Sequence, residues 1–339
     1  MVRVLIVKTS ALGDIVHALP AVAAFRQALP QVGLDWLVEE RWASLLQNQP
    51  LIDRVVSVNT RLARRSPFSA GARASFWSPL KEARRIGYSA AVDLQRLIKS
   101  AGLTLLARPG KAVGFSWSSC REGPASLILK QRVRVDYDRD PIRLQYLAPL
   151  SLLAGRELNL PRPPYLRVDP RARDSLAAKL KLPREYAVAL VGGGFGTKLW
   201  PQGHWAEVLK GLTRRRPVIL PWWGPEERKR AIEAAGRDRG PIPELSLAEL
   251  SALLEGAGLV VGGDTGPLHL AAALGKPTLS LYGPTLASRN APPGQAAIQS
   301  PLDCAGCVKR RCPKGEADCM AAISPEEVLS AAERILEGG

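Results

Sequence analysis

The chain has 339 residues, of which 46% are hydrophobic and 23% are charged. This composition is typical of a folded globular protein and excludes a disordered or fibrous one, and the length is sufficient for two domains of ordinary size. No apolar run reaches the length of a membrane-spanning helix, and the first residues lack a signal-peptide pattern, so the sequence predicts a cytoplasmic protein.

The net charge of +16 is unevenly distributed. Residues 1–170 contain 25 Lys and Arg against 13 Asp and Glu, a net charge of +12, and the remaining residues contain 22 against 18, a net charge of +4. A field of this sign attracts nucleic acid, an anionic lipid surface or a phosphorylated substrate. No zinc-finger spacing, recognition-helix pattern or ribonucleoprotein motif accompanies it, which disfavours nucleic acid and leaves a solvated basic face as the plain alternative.

Short apolar runs alternate with helical patterns along both halves of the chain. The predicted strands lie at 3–8, 34–38, 54–58, 90–94 and 111–115 in the first half, and at 186–191, 217–221, 258–262 and 277–282 in the second. This alternation predicts an α/β fold with two Rossmann-like lobes, each built on a parallel sheet, and a cleft between them. The prolines of segment 161–170 predict an extended linker, so the expected domains are 1–160 and 171–323, followed by a helix at 324–339.

The first strand leads into a tight turn at Gly13, and the helix that follows is predicted to begin at Asp14. Asp14 is thereby placed at the carboxyl end of a parallel strand, where open α/β sheets bind ligands. The alternative is that Asp14 only caps its helix by accepting the free amides of the first turn.

Two segments of the second half have features of an anion site. Strand 186–191 is followed by a glycine loop and then by Lys198, a combination that suits a phosphate but matches neither the Walker nor the dinucleotide pattern, so a structural loop is the alternative. Strand 258–262 is followed by Asp264, Thr265 and a helix that contains His269. The free amides and dipole of that helix start suit a diphosphate; the alternative is that Asp264 is a cap and His269 a packing residue.

The last part of the second half holds a cysteine block, 304–319, with the spacing C-x2-C-x4-C-x6-C. In a cytoplasmic protein, four thiols this close together favour a structural zinc site over disulfides. The alternative is a set of reduced or redox-active thiols. The expected metal ligands are Cys304, Cys307, Cys312 and Cys319.

Four motifs in the same order resemble the bacterial lipopolysaccharide heptosyltransferases, glycosyltransferase family 9, along nearly the whole chain. The motifs are Lys8–Asp14, Lys198–Trp205, Pro221–Pro225 and Asp264–His269. Within the family, the first lobe is most similar to the type I enzymes, through Asp35–Glu40 and Arg121–Ser126.

The resemblance implies a GT-B fold, with the acceptor on the first lobe, the nucleotide-sugar donor on the second and a last helix that crosses back to the first lobe. It implies inverting transfer of L-glycero-D-manno-heptose from ADP-heptose to the Kdo sugar of Kdo-lipid A, without a metal cofactor, at the cytoplasmic face of the inner membrane and without a nucleic-acid partner. The open alternatives are a type II enzyme or another nucleotide-sugar transferase of the family, a non-catalytic protein of the membrane face, and a nucleic-acid-binding protein.

The resemblance also implies roles for individual residues. Asp14 matches the position of the catalytic base, and Lys198 would take up charge on the departing diphosphate. The implied donor-binding residues are Gly193, Gly194, Thr197, Glu227, Asp264, Thr265, Gly266 and His269. The implied acceptor-binding residues are Ser10, Gly13, Arg61, Arg64, Arg65 and Arg121. Gly193 and Gly194 depart from the pattern, because type I enzymes commonly carry hydroxyl residues there, which places donor affinity and sugar choice in question.

Overall fold

The computed structural model describes residues 2–236, 242–315 and 318–338. The chain divides into two compact units, Met1–Arg167 and Val168–Gly339. No helix within the described ranges is both long enough and apolar enough to cross a membrane.

The first unit contains a six-stranded parallel sheet in the order β3-β2-β1-β4-β5-β6. Its strands are β1 (Arg3–Val7), β2 (Gly33–Glu39), β3 (Arg54–Val58), β4 (Ala90–Asp93), β5 (Lys111–Phe115) and β6 (Gln131–Val133). Val7 at the end of β1 pairs with Leu37 on one side and with Asp93 on the other. The strand order reverses at β1, so the carboxyl ends of β1 and β4 form the topological switch point at which such sheets bind ligands.

Seven α-helices complete the described part of the first unit. They are α1 (Leu12–Ala28), α2 (Ala43–Leu46), α3 (Thr60–Arg65), α4 (Ala70–Ile86), α5 (Ile98–Leu106), α6 (Ala125–Ile128) and α7 (Ile142–Ala154). Helix α1 packs against α7. Helices α4 and α5 bury Leu80, Ala83 and Leu103 against apolar side chains of the strands, including Leu5 and Val56. These side chains form one core of the unit.

The second unit contains a five-stranded parallel sheet in the order β11-β10-β9-β7-β8. Its strands are β7 (Ala187–Leu190), β8 (Val218–Ile219), β9 (Leu259–Gly263), β10 (Thr278–Tyr282) and β11 (Ala296–Gln299). Leu190 of β7 and Leu281 of β10 pair with Gly262 and Gly263 of β9, respectively. The loops after β7, β9 and β10 therefore leave the sheet side by side.

The helices of the second unit are α8 (Pro170–Lys179), α9 (Gln202–Thr213), α10 (Gly224–Ala235), α11 (Leu247–Gly256), α12 (Gly266–Ala273), α13 (Ala287–Asn290), α14 (Asp318–Ala321) and α15 (Pro325–Glu337). Helix α15 packs against α9, where a Cβ at Gly211 would lie 2.6 Å from Cδ2 of Leu329, so glycine is needed for this close approach. The predicted crossing of this last helix to the first lobe stays a prediction.

Each predicted strand is present, with ends that differ by no more than two residues from the prediction. The prediction missed β6 and β11, which are short strands at the sheet edges with partly exposed side chains and therefore weak apolar patterns. The helix predicted to begin at Asp14 begins instead at Leu12. Ala11 occupies the N-cap position, and Asp14 lies one turn further along the chain.

Candidate functional site

In the first unit, the carboxyl end of β1 continues into the loop that carries Asp14. The carboxylate Oδ2 of Asp14 accepts a hydrogen bond of 3.2 Å from the backbone N–H of Ala11. Asp14 is half-buried, and Ser10 and Gly13 beside it are also half-buried. Asp14 therefore accepts a hydrogen bond from an amide at the helix start, as in the capping alternative. It does so from within the first turn of the helix, and Ala11 is the N-cap residue.

The side chain of Gln95, which follows β4, holds the backbone of this loop. Its Oε1 accepts hydrogen bonds from the N–H groups of Thr9 at 2.9 Å and Ser10 at 3.1 Å. Gln95 is in turn positioned by Asp93, whose Oδ1 accepts from the backbone N–H of Gln95 at 2.7 Å. The chain from Asp93 through Gln95 thus fixes the backbone that leads to Asp14. The sequence analysis missed both residues, because nothing local in the chain relates them to a loop more than 80 positions earlier.

Lys8 is a buried cation immediately before the same loop. Its Nζ donates to the backbone oxygen of Leu94 at 3.2 Å and to the hydroxyl of Tyr146 at 2.8 Å. The backbone oxygen of Lys8 accepts from Nε1 of Trp36 at 3.0 Å. Lys8 therefore anchors the end of β1.

The arginines expected to bind the acceptor lie in two places. Arg61, Arg64 and Arg65 share α3 and are exposed, whereas Arg121 is exposed on the loop between β5 and α6. Helix α3 is anchored at its start, where the hydroxyl of Thr60 donates to Glu39. Among the described residues, no hydrogen bond or ion pair joins Arg121 to α3.

In the second unit, the loop after β7 brings Lys198 onto the end of β9. Nζ of Lys198 lies 2.8 Å from Oδ2 of Asp264 and 3.0 Å from the backbone oxygen of the same residue. These two residues are 66 positions apart in the chain, and the pairing of β7 with β9 brings them together. The glycine loop and the Asp264 motif, which the sequence suggested separately, therefore form one site.

Asp264 is the centre of a buried polar cluster. Its Oδ1 lies 2.7 Å from Nε2 of His269, and its Oδ2 accepts from Nδ2 of Asn290 at 3.1 Å. Burial raises the pKa of Asp264, but the hydrogen bond and charge of His269 and the ammonium of Lys198 outweigh it and hold that pKa well below the usual value. Asp264 is therefore a fixed anion, and it positions the lysine and the histidine. Asn290, which the sequence analysis missed, is itself bound by Nη1 of Arg289 at 2.9 Å.

The start of α12 lies next to this cluster. Thr265 is the N-cap residue, but its hydroxyl makes no cap hydrogen bond. Its Oγ1 is buried and has no partner among the described residues, and the same is true of Oγ1 of Thr285. Gly266 begins the helix, so its amide belongs to the set that has no partner within the helix. The unpartnered buried hydroxyl of Thr265 beside the free amide of Gly266 indicates a place for a polar ligand.

The remaining predicted donor residues surround the glycine loop. Oγ1 of Thr197 donates to the backbone oxygen of Lys309 at 2.8 Å. A Cβ at Gly192 would lie 2.4 Å from Oε1 of Glu227, so the Glu227 carboxylate lies directly against the loop backbone. Burial raises the pKa of Glu227, and the Trp223 amide and the charge of Arg230 offset this only in part.

The two glycines that depart from the family pattern have different surroundings. A Cβ at Gly193 would lie 3.0 Å from Leu199, whereas a Cβ at Gly194 would meet nothing within 4 Å.

The cysteine block packs on the carboxyl end of β10, through backbone hydrogen bonds from Gly306 to Gly283 and from Val308 to Pro284. All four cysteines are unpaired thiols; Cys304 and Cys307 are exposed, Cys312 is half-buried and Cys319 is buried. Burial raises the pKa of Cys319, and the nearby thiols of the other three raise it further. Among the described residues, no three of these sulfurs lie within 4.8 Å of one another. The zinc site stays a prediction.

The sequence and the fold are similar to those of known glycosyltransferases. The family model described as Glycosyltransferase family 9 (heptosyltransferase) matches residues 75–317. Lipopolysaccharide heptosyltransferase 1 of Pseudomonas aeruginosa is 35% identical over 317 residues, which cover 91% of this chain and 87% of that protein.

The E. coli heptosyltransferase WaaC, solved with ADP, matches with a TM-score of 0.81 at 29% identity, over 98% of this chain and 99% of that one. The same enzyme with ADP-2-deoxy-2-fluoro heptose matches with a TM-score of 0.77 at 29% identity over the same shares. The α/β fold of GT-B type expected from the motifs is confirmed. This chain belongs to glycosyltransferase family 9, the heptosyltransferase family.

Proposed function

We propose that this protein transfers L-glycero-D-manno-heptose, with inversion, from ADP-heptose to the Kdo sugar of Kdo-lipid A in lipopolysaccharide inner-core synthesis. Its similarity to lipopolysaccharide heptosyltransferase 1 and to WaaC, whose structures contain ADP and an ADP-heptose analogue, supports this donor and this reaction. Within the chain, the observation that carries the proposal is the buried cluster of Lys198, Asp264 and His269 beside the free amides of α12.

The donor diphosphate binds this cluster in the proposed complex. Lys198 supplies a cation, and Gly266 supplies a free amide of the helix start, where the positive end of the helix dipole favours an anion. The unpartnered hydroxyl of Thr265 gains an acceptor from the phosphate. The amides of Gly193 and Gly194 approach the same group, so backbone donors replace the hydroxyl side chains that type I enzymes commonly carry there.

Three further residues complete the proposed donor site. His269 is oriented by Asp264 toward the phosphate or the sugar. Thr197 holds the loop of Lys198 in place through its bond to Lys309. Glu227 accepts hydrogen bonds from heptose hydroxyls with a carboxylate that lies against the glycine loop.

Asp14 acts as the general base. The acceptor hydroxyl loses its proton to the Asp14 carboxylate while its oxygen forms the bond to the anomeric carbon. The bond between that carbon and the diphosphate oxygen breaks, and its electron pair leaves with ADP. Lys198 and the α12 amides stabilise the negative charge that develops on the leaving group. Because these groups supply the positive charge, we expect turnover without a divalent cation.

The acceptor binds to the basic first unit. Arg61, Arg64, Arg65 and Arg121 pair with its carboxylates and phosphates, since guanidinium groups bind such oxyanions with two hydrogen bonds each. Ser10 and the Gly13 backbone lie beside Asp14 and position the reacting hydroxyl. In this assignment the protein works at the cytoplasmic face of the inner membrane, and residues 1–160 and 171–323 are the acceptor and donor domains.

A structural zinc ion in the cysteine block is a separate part of the proposal. All four cysteines are unpaired thiols, and their close spacing in the chain is typical of tetrahedral thiolate sites for zinc. Elemental analysis of the purified protein measures its zinc content. About one zinc per chain, lost when Cys304 and Cys307 are both replaced by Ser, supports the site; absence of metal from the unchanged protein overturns it.

The first experiment measures ADP release from ADP-heptose in the presence of Kdo-lipid A, with and without EDTA. EDTA-resistant turnover that Asp14→Asn lowers at least about 100-fold supports the proposed reaction. Turnover only with an acceptor that already carries heptose would replace the type I assignment by a type II assignment. Donor binding without turnover on either acceptor would overturn the proposed activity in favour of a binding role.

A further inference from the structure

The segment Thr60–Ile86, which contains α3, a short loop and α4, is strongly basic and is called here the basic hairpin. It carries seven cationic side chains and a single acidic one, Glu82. Glu82 already binds Arg54 at 2.6 Å, so it does not offset the positive surface of the hairpin itself. The cationic residues are Arg61, Arg64, Arg65, Arg73, Lys81, Arg84 and Arg85.

Large apolar side chains point into solvent from the same hairpin. Phe68, in the loop between the two helices, is 93% exposed, the most exposed large hydrophobic residue among the described ones. Leu62 on α3 and Trp77 on α4 are 39% and 40% exposed. An aromatic ring held almost entirely in water at a loop tip contributes nothing to the core, and covering it with an apolar medium is favourable.

The orientation of α4 is fixed by its buried face. Ala72, Leu80 and Ala83 are buried, and Leu80 and Ala83 belong to the core beneath the helix. The exposed face consequently displays Arg73, Trp77, Lys81 and Arg85, which recur every fourth residue and so lie along one line of the helix. Basic side chains and a tryptophan ring along one exposed face are groups that favour the charged headgroup region of an anionic bilayer.

We propose that the basic hairpin docks on an anionic phospholipid bilayer. Phe68 enters the boundary between headgroups and acyl chains, Trp77 lies at headgroup level, and Arg73, Lys81 and Arg85 pair with lipid phosphates. Each of these placements follows the known preference of the side chain, since aromatic rings favour the interface and each basic residue near an anionic surface adds to binding. The inference deepens the proposed function, because the proposed acceptor is itself anchored in such a bilayer by its acyl chains.

The chemistry favours a bilayer over nucleic acid. The exposed apolar side chains are distributed over a loop tip and two helices, and the cations lie among them. This distribution suits a broad charged surface with an apolar layer beneath it. A strand of nucleic acid would instead be tracked by a basic groove with aromatic platforms inside it.

Co-sedimentation of the full chain with vesicles tests the inference. We expect binding to vesicles of phosphatidylcholine with about one-third phosphatidylglycerol, little binding to pure phosphatidylcholine, and a loss of binding at high salt. Phe68→Ser should weaken binding to the anionic vesicles about tenfold or more. The double change Arg73→Glu with Lys81→Glu should weaken it more than about 100-fold, because both the number and the sign of the charges change.

Two matched controls separate this surface from general effects. Leu152→Ser removes another exposed apolar side chain, on α7, and Lys210→Glu reverses another exposed cation, on α9; both should bind vesicles as the unchanged protein does. Circular dichroism and the unfolding midpoint check that Phe68→Ser is folded. Its turnover on a water-soluble acceptor fragment without acyl chains should equal that of the unchanged protein, while its turnover on acceptor in vesicles should fall.

The outcomes distinguish this inference from the proposed function. Vesicle binding that Phe68→Ser and the charge reversal weaken supports the docking surface even if no acceptor is turned over, in which case only the proposed function fails. Equal vesicle binding by all variants overturns the docking surface, whatever the activity. Binding of single-stranded DNA that exceeds vesicle binding and is lost in the same variants would also overturn it, in favour of nucleic acid.

Discussion

Replacing the buried Asp93 by Asn should stabilise the first unit at neutral pH. Asp93 ends β4 and is completely buried. Burial raises its pKa to about 6, although the hydroxyl of Ser100, the amides of Gln95 and Arg96 and the charge of Lys8 all lower it. The folded protein therefore holds the carboxyl proton more tightly than the unfolded chain does, and its stability falls as the pH rises from about 3.8 to about 6.

The size of the effect follows from the change in pKa. An increase from 3.8 to about 6 corresponds to about 3 kcal/mol of unfolding free energy lost once Asp93 is ionised. The loss begins near the unfolded pKa of 3.8, grows as the pH rises and is complete above about pH 6. The attraction of Lys8 is already contained in this value, because it is one of the causes that lower the pKa.

Asn has the right shape and hydrogen-bonding groups to replace the neutral carboxyl. Oδ1 of Asp93 accepts from the amides of Gln95 and Arg96, a role that the amide oxygen of Asn can take. Ser100 Oγ, which donates to Asp93 Oδ2 at 2.8 Å, can instead accept from the Asn amide and direct its own proton to the backbone oxygen of Leu97, also at 2.8 Å. The second N–H of the Asn amide gains no partner in this arrangement, which costs about 1 kcal/mol of the expected gain.

Denaturant unfolding of Asp93→Asn at two pH values is the assay. We expect the transition of the first unit to gain about 2 kcal/mol near pH 7.5 and nothing measurable near pH 4. Asp138→Asn, at an exposed position, should change neither, and Asp93→Ala should destabilise the unit at both pH values because two buried amides lose their acceptor. An Asp93→Asn protein that is no more stable than the original near pH 7.5, or equally stabilised at both pH values, would refute the reasoning.

Three further predictions concern the proposed reaction. Asp14→Asn should lower kcat about 10²- to 10⁴-fold and leave the ADP dissociation constant unchanged, because the base acts only in the chemical step. Steady-state kinetics and calorimetry of ADP binding measure the two quantities, and an unchanged kcat would count against Asp14 as the base. Gln95→Ala should lower kcat about tenfold without altering ADP affinity, because the substitution releases the loop that precedes Asp14. A tenfold loss of ADP affinity as well would show a more general disruption of the protein. Lys198→Met should weaken ADP binding about 10- to 100-fold, measured by calorimetry, because a charge-assisted hydrogen bond to the diphosphate is lost. Lys210→Met is the control, and unchanged ADP affinity of Lys198→Met would remove Lys198 from the donor site.

Local patterns explain why the strands could be predicted. The buried strands are short runs of apolar residues between turn signals, so Val4–Val7 and Val188–Leu190 are recognisable without knowledge of their neighbours. The edge strand Gln131–Val133 was missed, because it is too exposed and too short to have such a pattern. The start of α1 was placed two residues late, because Asp is a common N-cap and Ala11 has no capping side chain that would mark the true start.

The sequence by itself determined the class of fold, the family, and the two polar turns at Asp14 and at Asp264, because each depends on residues close together in the chain. Only the tertiary structure decided that Lys198 binds Asp264, and that Gln95 holds the loop before Asp14. The physical reason is that partners 66 and 86 positions apart meet through the order and register of parallel strands. That order results from the packing of whole helices and strands, and no local pattern in the chain encodes it.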